Sequence, residues 1–172
     1  MIKAVLISIR PKWCEKIASG EKTIEVRKTR PKLETPFKCY IYETQGWVEK
    51  DGIMEFRLGG RVIGEFTCDR IYGLAPLNHA PDDVEQQACL TREEIVRYLK
   101  GVGYGWHISG LRIYHQPLEL TEFRRACPND LYCESCAMYS NNNGICNNGA
   151  LPLRHPPQSW CYVDEGRQWL NA

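Results

Sequence analysis

The chain has 172 residues, 43% of them apolar and 25% charged, with a net charge of +1. This is enough material for one buried core, and the near-neutral total by itself points to no charged partner. The apolar run from Ala4 to Ile9 ends at Arg10 after six residues, too short for a bilayer span or an export-signal core. A cytoplasmic protein with no membrane partner is the expectation.

In chain order, the first expected element is a strand from Ile2 to Ile9, rich in β-branched residues. A short helix follows from Pro11, whose missing N–H costs nothing in a first turn; Trp13 and Ile17 share a face, and Gly20 suits the left-handed position after the helix end. Thr23 to Lys28 reads as a second strand. Its alternation turns Thr23, Glu25 and Arg27 to one side and Ile24 and Val26 to the other, while Lys22 leaves the turn beside them. A cation, a carboxylate and a guanidinium are thereby expected to converge on a solvent-accessible hollow beside Trp106.

Further strands are expected at Lys38 to Thr44, Arg61 to Tyr72 after a Gly59-Gly60 turn, Tyr104 to Tyr114, and Trp160 to Val163. Between the second and third of these lie two helical patterns. Pro81 to Cys89 is a loose leader with Asp82 and Asp83 suited to a helix start. Thr91-Arg92-Glu93-Glu94 forms a capping box, with Ile95, Tyr98 and Leu99 as the apolar face and Gly101 as the stop.

The charge is uneven. Residues 1–38 hold ten Lys or Arg against four Glu, a balance of +6, which leaves −5 for the remainder. The basic end carries the Gly20 to Arg27 run, and such a field attracts phosphates in a salt-dependent way; a solvated basic surface is the plainer explanation.

Leu6-Ile7-Ser8-Ile9-Arg10-Pro11 followed by Gly20-Glu21-Lys22-Thr23-Ile24-Glu25-Val26-Arg27 resembles the signature of the ASCH domain, a PUA-like β-barrel. Trp106-His107-Ile108-Ser109-Gly110-Leu111 and Pro157-Gln158-Ser159-Trp160-Cys161-Tyr162-Val163 are similar to late strands of phage and prophage members. The resemblance implies an α+β fold, a PUA-like barrel with peripheral helices, and a cleft for RNA, a nucleotide or a modified nucleoside. A bacterial enzyme of this family hydrolyses N4-acetylcytidine using a Gly-x-Lys-x-x-Thr-x-Arg motif with the threonine as nucleophile and a separate glutamate. Lys22 matches its lysine, but Glu25 stands at the threonine position, and Thr23 is displaced by two residues. Glu85 lies in the region of the separate glutamate.

Nine cysteines fall into two groups. Cys14, Cys39, Cys68, Cys89 and Cys161 are scattered, the first three in apolar or alternating contexts that suit small buried hydrophobes. Cys127, Cys133, Cys136 and Cys146 form C-x5-C-x2-C-x9-C within a polar stretch that has little apolar material to order it. Four thiolates suit a structural Zn²⁺ at about 2.3 Å each, with an iron–sulfur cluster as the alternative. Cys161 or His155 is an alternative fourth ligand in place of Cys127. An odd cysteine count and no export signal disfavour disulfides. The chain is thus read as a single domain, 1–172, with 124–150 as a Cys-rich metal-knuckle insertion between late barrel strands.

Three functional classes follow. As a binding module, Arg10, Trp13, Lys22, Glu25, Arg27, Trp106 and His107 line the cleft: Lys22 meets phosphate, Arg27 makes a two-pronged contact, Glu25 accepts from a base amino group, and Trp13 or Trp106 stacks. As an amidohydrolase of N4-acylated cytidine-type nucleosides, Glu25 acts as general base on water while Lys22 polarises the acyl oxygen. As an adaptor, the metal knuckle docks a protein or DNA partner, but its run of asparagines and few cations disfavour nucleic-acid contact by the knuckle itself. Each site residue also has an ordinary structural explanation: an ion pair between Glu25 and Arg27, a solvated Lys22, core aromatics, and a hydrogen-bonded His107.

Overall fold

The computed structural model describes residues 3–74, 79–126 and 152–165. Eight strands and three α-helices occur among them: β1 (Lys3–Ile9), α1 (Pro11–Ala18), β2 (Ile24–Arg27), β3 (Phe37–Glu43), β4 (Gly46–Lys50), β5 (Ile53–Arg57), β6 (Arg61–Gly73), α2 (Val84–Ala88), α3 (Arg92–Leu99), β7 (Tyr104–Glu119) and β8 (Trp160–Asp164). Six strands form one mixed sheet in the order β2-β7-β6-β3-β1-β8. Its pairs are antiparallel except β1 with β3, where Val5 faces Cys39 and Ile9 faces Glu43 in parallel register. The α+β class expected from the sequence is present, as a curled half-barrel.

The ends of this sheet meet without a backbone ladder. β2 and β8 are its edges, yet Arg27 on β2 donates from Nη2 to the Ser8 carbonyl on β1 at 2.6 Å and from Nη1 to Ser159 Oγ, just before β8, at 3.2 Å. Trp160 Nε1 donates to Thr29 Oγ1 at 3.0 Å, and the Lys32 N–H donates to the Tyr162 hydroxyl at 2.7 Å. The PUA-like barrel that the resemblance implies is here a half-barrel whose edge strands are joined by side chains.

Two cores lie on the two faces of the β1–β3–β6 layer, as period-2 alternation requires. The concave side holds Val5, Ile7, Ile9, Cys14, Ile17, Cys39, Ile41, Phe66 and Trp106. The convex side holds Leu6, Tyr40, Tyr42, Val62, Phe123 and Leu153. A third cluster packs Ile24 and Val26 of β2 against Val84, Ala88, Ile95 and Leu99 of the helices, so β2 is covered on both faces. Cys14, Cys39 and Cys68 are buried free thiols, as their contexts suggested.

The helix signals held with local differences. Thr91 Oγ1 accepts from the Glu94 N–H at 3.2 Å, and a Glu94 carboxylate oxygen accepts from the Thr91 N–H at 2.8 Å, closing the capping box. The left-handed stop after α3 falls on Lys100, with φ of 53°, one residue before the expected Gly101. Asp83 is the N-cap of α2 but makes no side-chain cap bond. β4 and β5, absent from the sequence reading, form a separate hairpin around Asp51-Gly52, both with positive φ, the signature of a two-residue turn. One hairpin face packs on α1 through buried Val48 and through Arg57 to Glu15 at 2.6 Å; the other exposes Trp47, Met54 and Phe56. No helix among the described residues is long and apolar enough to cross a membrane.

Candidate functional site

The Gly20 to Arg27 run is positioned by three elements. β2 pairs with β7 in a register that sets Glu25 opposite Trp106 and Arg27 opposite Tyr104, with Ile24 opposite His107. Glu25, Arg27 and Trp106 therefore share the concave face. α1 lies over that face through Cys14 and Ile17. The end of α2 docks on the turn before β2: the Thr23 N–H donates to the Gln87 carbonyl at 2.8 Å.

The three charges converge as the alternation predicts. Glu25 sits between two cations, with Arg27 Nε at 3.0 Å from Oε1 and Lys22 Nζ at 3.5 Å from Oε2. Lys22 also donates to the Ala88 carbonyl at 2.7 Å, at the end of α2 where a cation complements unpaired carbonyls. Its Nζ stands 5.0 Å from the Trp13 ring centroid, and Lys12 Nζ stands 4.6 Å from the same ring.

Solvent access is the main departure from expectation. Lys22, Glu25 and Arg27 are only 2%, 6% and 8% exposed, so they form a nearly sealed ionic cluster and not the open hollow anticipated. Trp13, half-buried on α1, is the aromatic nearest its rim. Arg10 is exposed at the N-cap of α1.

Trp106 is 0% exposed and lies edge-on to both Phe37 and Trp160, with ring centroids 6.0 Å away in each case. In this packing it offers no face for stacking. Its Nε1 is the sole buried side-chain nitrogen or oxygen among the described residues that lacks a hydrogen-bond partner. His107 is not part of the cluster. As the next residue on β7 it points to the opposite face, where its Nδ1 lies 2.6 Å from Asp69 Oδ1. Burial works to raise the Asp69 carboxyl, but the hydrogen bond and charge of His107 outweigh it and hold the carboxyl below the usual range. Glu85, considered as the separate glutamate, is on the surface, where it accepts from the Arg92 N–H at 2.8 Å.

Sequence reasoning missed Ser8, Ser159 and Glu43. Ser8 is buried; its Oγ donates to the Pro157 carbonyl at 2.6 Å while its own carbonyl receives Arg27. Glu43 continues the concave side of β3 after Cys39 and Ile41, a pattern visible in the alternation. Desolvation raises its carboxyl, Arg57 Nη1 at 3.7 Å opposes the rise, and the charge of Glu15 adds to it. Cys14, on the buried side of α1, is pushed well above the ordinary thiol range, first by burial and then by the charges of Glu43 and Glu25, which disfavours the thiolate that a nucleophile needs.

The candidate metal ligands Cys127, Cys133, Cys136 and Cys146 lie outside the described residues. Their flanks are described. Arg124 bridges Pro152 in antiparallel fashion, and the Leu153 N–H donates to the Phe123 carbonyl at 2.9 Å, so the chain on either side of 127–151 lies in register. No cluster of three or more His, Cys, Asp or Glu suited to a metal ion occurs among the described residues.

No protein-family model matches this chain. No curated protein matches it either. Among solved structures, ASCH from Zymomonas mobilis is similar with a TM-score of 0.60 and 18% identity, over 94% of this chain and 88% of that one. A tyrosine-to-phenylalanine mutant of the same protein gives 0.59 and 17% over 94% and 91%, and a serine-to-alanine mutant gives 0.59 and 17% over 94% and 89%. This chain has the fold of those ASCH proteins, a mixed curled sheet with few helices.

Proposed function

We propose that this protein binds RNA, or a nucleotide or modified nucleoside, at the Lys22–Glu25–Arg27 cluster on the concave face of the sheet. The observation that carries the reading is the burial of three charges in one place. A buried ion triad costs several kcal/mol of desolvation per ion, and apolar residues of similar volume often fill such a space with equal or better stability. The ASCH fold adds support at the level of architecture alone. In this reading Lys22 is the phosphate or carbonyl contact, Glu25 accepts from a base amino group, Arg10 meets backbone phosphate at the rim, and Trp13 supplies a stacking face. Trp106 belongs to the floor, and His107 is left out because it faces away. Titration of the protein with single-stranded RNA and a nucleoside panel, beside Lys22→Met, tests this: binding that survives the substitution unchanged overturns it.

An amidohydrolase acting on N4-acylated cytidine-type nucleosides is the second reading, favoured by Lys22 Nζ at 3.5 Å from Glu25 Oε2. That spacing suits a lysine that stabilises developing charge on an acyl oxygen beside a carboxylate that takes a proton from water. The two products are acetate and cytidine, and chromatography after incubation with N4-acetylcytidine decides between turnover and binding.

For the Cys-rich segment we propose a structural Zn²⁺ held by Cys127, Cys133, Cys136 and Cys146, with iron–sulfur as the competing occupant. The paired flanks at Arg124 and Pro152 support an excursion ordered from within, and a reducing cytoplasmic setting suits free thiolates. Elemental analysis and a visible absorbance spectrum separate zinc, iron and neither.

A further inference from the structure

We infer that the site reads a ring carbonyl of its ligand through the indole N–H of Trp106, so that a nucleobase bearing a carbonyl is preferred to adenine, which has none. This rests on the proposed binding at Lys22, Glu25 and Arg27. Trp106 is fully buried, and its Nε1 has no acceptor. A buried N–H left unpaired forfeits its hydration with nothing in return, so native interiors rarely keep one without a use. Its ring neighbours, Phe37 and Trp160, present carbon edges and faces and no acceptor oxygen.

Strand register sets Trp106 directly opposite Glu25 and on the same face as Arg27. The site then holds a neutral donor beside a carboxylate acceptor and two cations. The cations suit phosphate. The indole, a donor only and uncharged, suits a neutral carbonyl oxygen, and Glu25 keeps lone pairs for an adjacent N–H or amino group. Adenine offers an amino group but no carbonyl. Trp160, half-buried on edge strand β8, packs against Trp106, and in this proposal it is the ring that moves aside to admit a ligand to Nε1.

Trp106→Phe keeps an aromatic ring and removes the N–H. Dissociation constants for cytidine, N4-acetylcytidine, uridine and adenosine are measured on the full chain, on Trp106→Phe and on Lys22→Met. The expected result is a loss of about 5- to 10-fold for the carbonyl-bearing nucleosides in Trp106→Phe, the size of one hydrogen bond, with adenosine unchanged. Equal losses for all four, or no loss together with lower thermal stability, overturn the inference; the latter marks an N–H engaged with the neighbouring rings. If Lys22→Met abolishes binding while Trp106→Phe alters nothing, the carbonyl inference fails alone. It also fails alone if RNA binds and none of the nucleosides does. No binding of RNA or any nucleoside by the unaltered chain overturns both this and the proposed function. Should Trp106→Phe not fold, the ¹⁵N-indole resonance of Trp106 in the unaltered protein gives the answer: cytidine shifts it and adenosine does not if the inference holds, and equal or absent shifts overturn it.

Discussion

Arg27 reaches across the seam of the half-barrel and donates to the Ser8 carbonyl at 2.6 Å, joining a residue of edge strand β2 to one 19 positions earlier on β1. The same guanidinium holds Glu25. Arg27→Ala therefore removes the clasp and one partner of a buried carboxylate. A loss of about 3–5 kcal/mol is expected, read as a lower urea midpoint. Arg27→Lys is expected to recover little of it, because an ammonium lacks the planar fork that spans Glu25, Ser8 and Ser159 at once. Full stability in either variant would show that the seam closes without this residue.

Lys22→Met keeps the stem that packs under Trp13 and deletes the charge. The Ala88 carbonyl loses its donor, so stability is expected to fall by about 1–3 kcal/mol while the fold persists. Ligand binding, or turnover on N4-acetylcytidine, is expected to fall below detection. Circular dichroism and calorimetry on the same sample separate the two effects.

Cys136→Ser is expected to lower metal content toward zero equivalents and to reduce thermal stability, whereas Cys39→Ser is expected to reduce stability without changing metal content, because Cys39 is a buried free thiol in the concave core. Metal content measured on both variants, with a chelator-treated control, checks the pair.

Asp69 supplies a pH signature unconnected with the site. Its carboxyl is held below the ordinary value of 3.8 in the folded protein. A depressed folded value means the stabilisation is present above the unfolded value and disappears as pH falls through the folded one. The difference in stability between the unaltered chain and Asp69→Asn is expected to be under about 1 kcal/mol at pH 7, since the pair is solvent-accessible, and to shrink as pH falls through the lowered folded value. Urea denaturation at a series of pH values measures it, and a difference that grows on acidification contradicts the assignment.

Much of this architecture is legible from local rules. β-branched strands, the Thr91 capping box and the alternation that brings Glu25 and Arg27 to one side all depend on near neighbours. The same alternation separates Trp106 from His107, and grouping them in one cleft overlooked it. The hairpin around Asp51-Gly52 was also signalled locally, although its exposed Trp47 and Phe56 gave it no core pattern to recognise. What no local rule supplies is long-range register. Arg27 finds Ser159 132 positions away, and Trp106 faces Glu25 only because β7 pairs with β2. The burial of the charge cluster follows from those pairings and from α1 lying over them.

The bridge between Arg124 and Pro152 holds the two flanks of residues 127–151 side by side. A short flexible link between those flanks is therefore expected to leave the convex packing of Phe123 and Leu153 in place, read as an unchanged fold by circular dichroism. A trimmed chain of that kind separates whatever the cysteines contribute from whatever the concave face binds.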